Sequence, residues 1–181
     1  MISSPATLDT PRLRLRRWPD ADRAAFAAMN AHPGVMADLG GPLSRQASDA
    51  KFDRYAAVFA GHGFGRWQVE TRDGEFLGYA GVLPSAPDHQ IGPHFEIGWR
   101  LNRSAWGHGY ATEAAQAALQ DAFVRAQLPE VLAYTAPDNL RSQAVMAKLR
   151  LQRDAARDFT LHNDRGTWHG WVWVARPALL G

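Results

Sequence analysis

Phe95-Glu96-Ile97-Gly98-Trp99-Arg100-Leu101-Asn102-Arg103-Ser104-Ala105-Trp106-Gly107-His108-Gly109-Tyr110-Ala111-Thr112 is the stretch on which the fold of this 181-residue chain turns. Its first part alternates. Phe95, Ile97, Trp99 and Leu101 oppose Glu96, Gly98 and Arg100, so 94–102 reads as a strand. Past the glycines the period changes to helical: Ala111, Ala114, Ala115, Ala118, Leu119, Ala122, Phe123 and Ala126 form one stripe. The stripe is mostly alanine, so the helix backbone can lie close to a sheet. Gly107 and Gly109 sit at the junction. Glycine turns tightly and brings the backbone to a ligand with no side chain in the way. The first turn of a helix has unpaired N–H groups and a partial positive charge. Strand, glycine turn and helix N-terminus together make an anion cradle. A Gly-x-Gly alone equally suits a tight turn that binds nothing. No Gly-Lys-Ser/Thr ending is present, which excludes an NTPase phosphate loop. The dinucleotide fingerprint also fails. Its third glycine is missing, and Gln127 stands where an acid is expected about 20 residues on.

Outward from this junction, Arg12–Arg17 alternates as a strand. Pro19-Asp20 opens a helix through about Asn30, broken by His32-Pro33-Gly34. Ser48 is placed as the cap of a second helix carrying Phe52, Tyr55, Ala56 and Phe59, which Gly61 and Gly63 stop. Strands follow at 66–71 and 75–83, joined by the turn Arg72-Asp73-Gly74. The proline-rich loop 84–93 connects to the strand at 94–102. Val131–Ala136 is a further strand, and Asp138 or Asn139 caps a helix to about Leu149. Residues 157–162 and 167–175 pair as a hairpin around Asn163-Asp164-Arg165-Gly166. The order is β α α β β β α β α β β. The strand–helix–strand unit at 94–136 predicts one parallel crossover in a mostly antiparallel mixed sheet, a single α/β domain over 1–181.

Composition narrows the chemistry. The chain has no cysteine, which excludes disulfides, thiolate catalysis and cysteine-bound metal. The seven histidines show no metal-binding spacing, so no metal is expected. The net charge is +2, and the arginines of 12–17 alternate with Leu13 and Leu15 as the wet face of a strand. No nucleic-acid partner is expected from that. The N-terminus has no basic-then-apolar leader pattern, and no apolar run approaches ~18 residues. A soluble cytoplasmic protein, off the membrane and either monomer or homodimer, is the expectation.

The sequence resembles the GNAT acetyltransferases, and within them the ribosomal-protein N-terminal acetyltransferases RimJ and RimL. Thr10-Pro-Arg-Leu-Arg-Leu-Arg16 is similar to that group's opening strand, and Phe95-Glu-Ile-Gly-Trp-Arg-Leu101 to its fourth. Trp106-Gly-His-Gly-Tyr-Ala-Thr-Glu-Ala114 is similar to its pyrophosphate loop. Asn139-Leu-Arg-Ser142 with Val145 and Lys148-Leu149 is similar to its next helix. Two departures stand out. Trp106 occupies a place where the broad family has Gln or Arg, and Lys148-Leu149-Arg150-Leu151 replaces the usual Lys-x-Gly-Phe.

The resemblance implies a GNAT fold and acetyl transfer from acetyl-CoA to a primary amine by direct transfer. Trp106, Gly107, His108, Gly109, Tyr110, Ala111 and Thr112 would bind the cofactor, the N–H groups of His108 through Thr112 holding pyrophosphate. The His108 side chain itself reads as a solvated loop residue. Pantetheine would lie along strand 94–102 with Leu101 as its backbone contact. Asn139 would touch CoA as well as cap its helix. Ser142 would protonate the departing thiolate, with Tyr134 as the rival donor. Direct transfer needs a neutral amine, so a proton acceptor is required. Glu96 suits that role, or is a strand glutamate paired with an arginine. Asp138 and a water chain are the rivals. The two early helices and the 84–93 loop are expected to wall the acceptor pocket, with Met29, Met36, Phe64, Trp67, Trp168 and Trp171 as lining candidates. The acceptor stays open between a small-molecule amine and a peptide N-terminus. Two other functions fit the same residues: a non-catalytic acyl-CoA sensor or interaction module, and a phosphate- or nucleotide-binding domain unrelated to CoA.

Overall fold

Alternating strands and amphipathic helices leave one economical solution, a sheet with helices laid on it. The computed structural model describes residues 5–163 and 166–177. Its strands are β1 (Thr7–Asp9), β2 (Leu13–Arg16), β3 (Arg66–Thr71), β4 (Phe76–Pro84), β5 (Phe95–Leu101), β6 (Val131–Thr135), β7 (Gln152–Arg153), β8 (Phe159–Asn163) and β9 (Gly166–Ala175). Its helices are α1 (Arg23–Asn30), α2 (Pro33–Met36), α3 (Arg45–His62), α4 (Tyr110–Val124) and α5 (Leu140–Lys148). The sheet runs β1-β2-β3-β4-β5-β6-β9-β7, with β8 paired to β9. The β5–β6 pair is parallel, and every other pair is antiparallel. The predicted mixed sheet with one parallel crossover, β5-α4-β6, is therefore present.

The alanine stripe of α4 packs on β4 and β5, with Ala114, Ala115, Ala118, Leu119 and Ala122 all buried. Helix α3 buries Phe52, Tyr55 and Phe59. There Trp18, Phe26 and Phe52 meet edge to face at centroid distances of 5.0–5.7 Å. The Arg12–Arg16 alternation is as read: Leu13 and Leu15 are fully buried. Arg12, Arg14 and Arg16 pair with Glu113, Asp9 and Glu70.

Three short elements were not anticipated: β1, β7 and α2. At α2 the expected break is instead a one-turn helix. His32 Nδ1 accepts the Val35 N–H at 3.3 Å, and Pro33 takes the first helical position, where its missing N–H costs nothing. Ser48 is not the cap of α3. Ser44 is, accepting the Ala47 N–H at 3.1 Å. Ser48 lies inside the helix and accepts from buried Asn30 at 3.0 Å. The tip of the last hairpin, Asp164-Arg165, lies outside the described residues, while flanking His162 pairs with Thr167. Among the described residues no helix is long and apolar enough to cross a membrane.

Candidate active site

Strand β5 hands over to α4 through the short 103–109 segment. Gly107 and Gly109 have φ of +82° and +79°, a region that costs an L-residue ~1–2 kcal/mol and glycine almost nothing. Gly109 is the N-cap of α4 and supplies no capping side chain. The first-turn N–H groups are thus left for a ligand. Two clamps hold the loop. The Trp106 indole donates to the Leu101 carbonyl at 3.0 Å, tying the loop to β5. Outside, Arg12 Nη1 donates to the His108 carbonyl at 2.8 Å, and its guanidinium lies 4.8 Å from the centre of the Tyr110 ring. Arg12 is in turn fixed by Glu113, which accepts from Arg12 Nε at 2.6 Å, Arg12 N at 3.0 Å and Thr10 Oγ1 at 2.6 Å. Burial alone would raise the Glu113 carboxyl. These donors overcome it and hold the group below its ordinary range.

A cavity of about 270 Å³ opens beside this loop. Strands β5 and β6 are registered at one position only, Glu96 opposite Leu132. The space past that pair is walled by Trp99, Arg100 and Leu101 on one side and by α5 on the other. The loop contributes Trp106, Gly107, Gly109, Tyr110, Ala111 and Thr112, and α5 with its cap contributes Asn139 and Ser142. His108 does not line it: the residue is exposed, with its Nδ1 2.9 Å from the Trp106 carbonyl. Both ends of the Asn139 amide are engaged, Oδ1 by the Ser142 N–H at 3.2 Å and Nδ2 by Asp38 at 3.2 Å.

A second cavity, also about 270 Å³, adjoins the first. Asp38, Trp99, Arg100 and Ser142 line both. Glu96 and Tyr134 line only the second. Glu96 Oε1 accepts from Arg66 Nη2 at 2.6 Å, with 6% of the Arg66 side chain and 18% of the Glu96 side chain exposed. Gly98 makes room for this pair, since a Cβ there would sit 2.6 Å from Arg66 Nη2. Arg100 grips Asp38 with two nitrogens at 2.9 and 3.1 Å and also donates to the Val35 carbonyl. Burial, and then Glu96, push the Tyr134 hydroxyl above its ordinary range, which keeps it protonated. Tyr79 behaves oppositely. Burial favours its neutral form, but the surrounding charges of Lys51, Arg100 and Arg66 outweigh burial and pull it well down.

Residues 12–152 match the acetyltransferase (GNAT) domain family. The chain belongs to the GNAT acetyltransferases. As a GNAT enzyme it is an acetyl-CoA-dependent N-acetyltransferase. It is 33% identical over 150 residues to the protein YkkB of Bacillus subtilis (strain 168), covering 82% of this chain and 86% of that one. A solved acetyltransferase from Agrobacterium tumefaciens str. C58 is 28% identical, with a TM-score of 0.79 over 97% of both chains. The fold is also that of Mycobacterium smegmatis RimJ, solved with CoA-disulfide: TM-score 0.67, 21% identity, over 92% of this chain and 82% of that one.

The geometry of this GNAT enzyme corrects several lining expectations. Met36, Phe64 and Trp67 are core residues, exposed by 1–5%, and line neither cavity. Met29 is likewise buried, and Trp171 lies on the surface. Of the six lining candidates, Trp168 is the one in the second cavity. The wall comes from Lys51, Arg54 and Tyr55 of α3 and from the 38–39 turn. Neither α1 nor the 84–93 loop contributes. Asp138 is exposed and lines neither cavity. Sequence reasoning missed Arg12, Arg141, Lys148 and Tyr79. Arg141 and Lys148 both line the first cavity, and their spacing of two helical turns places them on one face of α5. The Arg141 guanidinium stacks on Trp106 at 3.6 Å, with Arg103 at 4.2 Å from the same ring.

Proposed function

We propose that acetyl-CoA occupies the first cavity and a primary amine the second, and that the two meet at Ser142. The shared wall of Asp38, Trp99, Arg100 and Ser142 carries this reading. The first-turn N–H groups of α4, from His108 to Thr112, take the pyrophosphate. Arg141 and Lys148 supply charge for the cofactor's phosphates. Bound acetyl-CoA supplies an activated acetyl thioester. The protein supplies position, a proton acceptor for the amine and a proton donor for the thiolate. Ser142, on both cavities, suits the donor role better than Tyr134, which lines only the second. Glu96 is the carboxylate of the acceptor cavity that faces no second cavity, and it takes the amine proton. The backbone N–H groups of β5 are the natural donors to the developing oxyanion. The chain acts as one acetyltransferase domain on a small-molecule amine or a peptide N-terminus, in the cytoplasm, with no metal.

The test has two parts. Acetyl-CoA at about a hundredfold excess over Kd should stabilise the fold by roughly 2.7 kcal/mol, and free thiol should appear only when an amine is added. A folded protein whose unfolding millimolar acetyl-CoA does not move would overturn the cofactor assignment. Binding without thiol release across an amine panel would make the protein an acyl-CoA sensor.

A further inference from the structure

The acceptor cavity carries a charge imbalance that the chemistry above does not use. Four cations line it, Lys51, Arg54, Arg66 and Arg100, against two carboxylates, Asp38 and Glu96. The carboxylates are committed: Glu96 to Arg66 and Asp38 to Arg100. Lys51 and Arg54 have no carboxylate partner among the described residues. Lys51 Nζ instead lies 3.3 Å from the Tyr79 hydroxyl and 5.4 and 5.8 Å from the Tyr79 and Tyr55 ring centres. Arg54 lies over the Tyr55 ring at 5.5 Å. One turn apart on α3, the two present their charge to the same cavity. A cationic guest such as a polyamine would meet repulsion here. A guest that brings negative charge would find two cations, Lys51 and Arg54, with no carboxylate of their own.

We propose that the acceptor of this enzyme is an amine that also carries a carboxylate, held by Lys51 and Arg54. The inference rests on the acetyltransferase reading above and adds the class of its substrate. The reactive amine lies toward Ser142 and Glu96, and the carboxylate lies toward α3.

Matched amine pairs differing in one charge test it: L-phenylalanine against L-phenylalaninamide, and aspartic acid α-amide against asparagine α-amide, with spermidine as the polycation. Acetyl transfer is read as kcat/KM from thiol release. In at least one pair the carboxylate member should lead by ~10-fold or more, and about 0.5 M salt should narrow that lead. In Lys51→Gln the ratio of carboxylate to amide should fall toward one, and Lys51→Arg should restore it, with acetyl-CoA affinity unchanged in both. Arg54→Gln, at an exposed position, repeats the test should Lys51→Gln fail to fold. Equal rates within every pair, faster transfer to spermidine, or a ratio indifferent to Lys51 and Arg54 would overturn the proposal and leave the acetyltransferase standing. Tight acetyl-CoA binding with no transfer to any of these amines or to a broad amine panel would overturn both.

Discussion

Replacing Gly109 with valine tests the cofactor cradle most directly. Gly109 sits at φ +79°, ψ 4°. A Cβ built there would meet only Arg12 Nη2, at 3.4 Å, which is ordinary contact. Space is therefore not the obstacle; the backbone region is. An L-residue there pays ~1–2 kcal/mol, and a β-branched one fits worst. The free loop can relax to negative φ, which turns the N–H groups of residues 109 and 110 away from the cavity. Binding must then restore the strained geometry, so the strain is subtracted from affinity. A loss of ~1.4 kcal/mol is tenfold in Kd, and Gly109→Val is expected to weaken acetyl-CoA binding by ~10-fold or more. Titration calorimetry on the variant, with thermal unfolding to confirm its fold, gives the number. Gly74→Val is the control. It has φ +89° and nothing within 4 Å of its Cβ, but lies in the β3–β4 turn away from both cavities. It should lose comparable stability and no affinity. A folded Gly109→Val protein with wild-type Kd would show that the α4 N-terminus does not hold the pyrophosphate.

Glu113→Gln should cost about 1–2 kcal/mol of stability at pH 7, since it weakens charge-assisted bonds to Arg12 and Thr10. The folded pKa of Glu113 is depressed from 4.5, so its stabilisation is present above that value and lost as pH falls through the folded pKa. Urea midpoints of the two proteins should converge in acid, and a constant gap would refute the assignment. Ser142→Ala and Glu96→Gln should each lower kcat by ~10²–10⁴ with little change in acetyl-CoA affinity. Unaltered kcat in either removes that residue from proton transfer, and lost binding in Ser142→Ala makes it a cofactor contact. Arg150→Gly should raise stability by about 0.5 kcal/mol, or ~1–2 °C in Tm, because Arg150 holds φ +57° and the relief of strain exceeds the added chain entropy. A lower Tm would mean that the Arg150 side chain contributes more than its backbone costs.

Sequence made the β5–α4 junction legible because local rules govern it. Period change, glycine placement and helix capping all act within a few residues, and the 95–112 stretch contains every one. The Arg150 position shows where such rules fall short. Leu151 N donates to the Met146 carbonyl and Arg150 N to that of Ala147, each at 3.0 Å. This is the Schellman geometry that normally takes glycine. The turn survives with arginine in the left-handed region, so a missing glycine did not mean a different turn. The acceptor side was not legible, because distant pairings build it. Lys51 and Tyr79 are 28 residues apart, Arg66 and Glu96 are 30, and Asp38 and Arg100 are 62. Aromatic content offered no shortcut. Trp67 and Phe64 have the composition of a pocket and the burial of a core, while charged residues and tyrosines make up half of the cavity lining.

The same charge arrangement bears on how Glu96 can work as a base. Burial opposes the Arg66 charge, yet Glu96 and the tyrosines Tyr55 and Tyr79 more than restore it, so Arg66 stays ionised. Removing the Glu96 carboxylate would leave a guanidinium that is 6% exposed without its partner, and an uncompensated buried charge is expensive. Glu96 therefore holds Arg66 in place as well as lining the proposed acceptor cavity. Tyr79 lines the same cavity, and the cations around it favour its ionised form. Lys51, 3.3 Å from the Tyr79 hydroxyl, belongs to the proposed anion site and also acts on Tyr79, so a substitution at Lys51 should alter both substrate preference and the pH dependence of kcat.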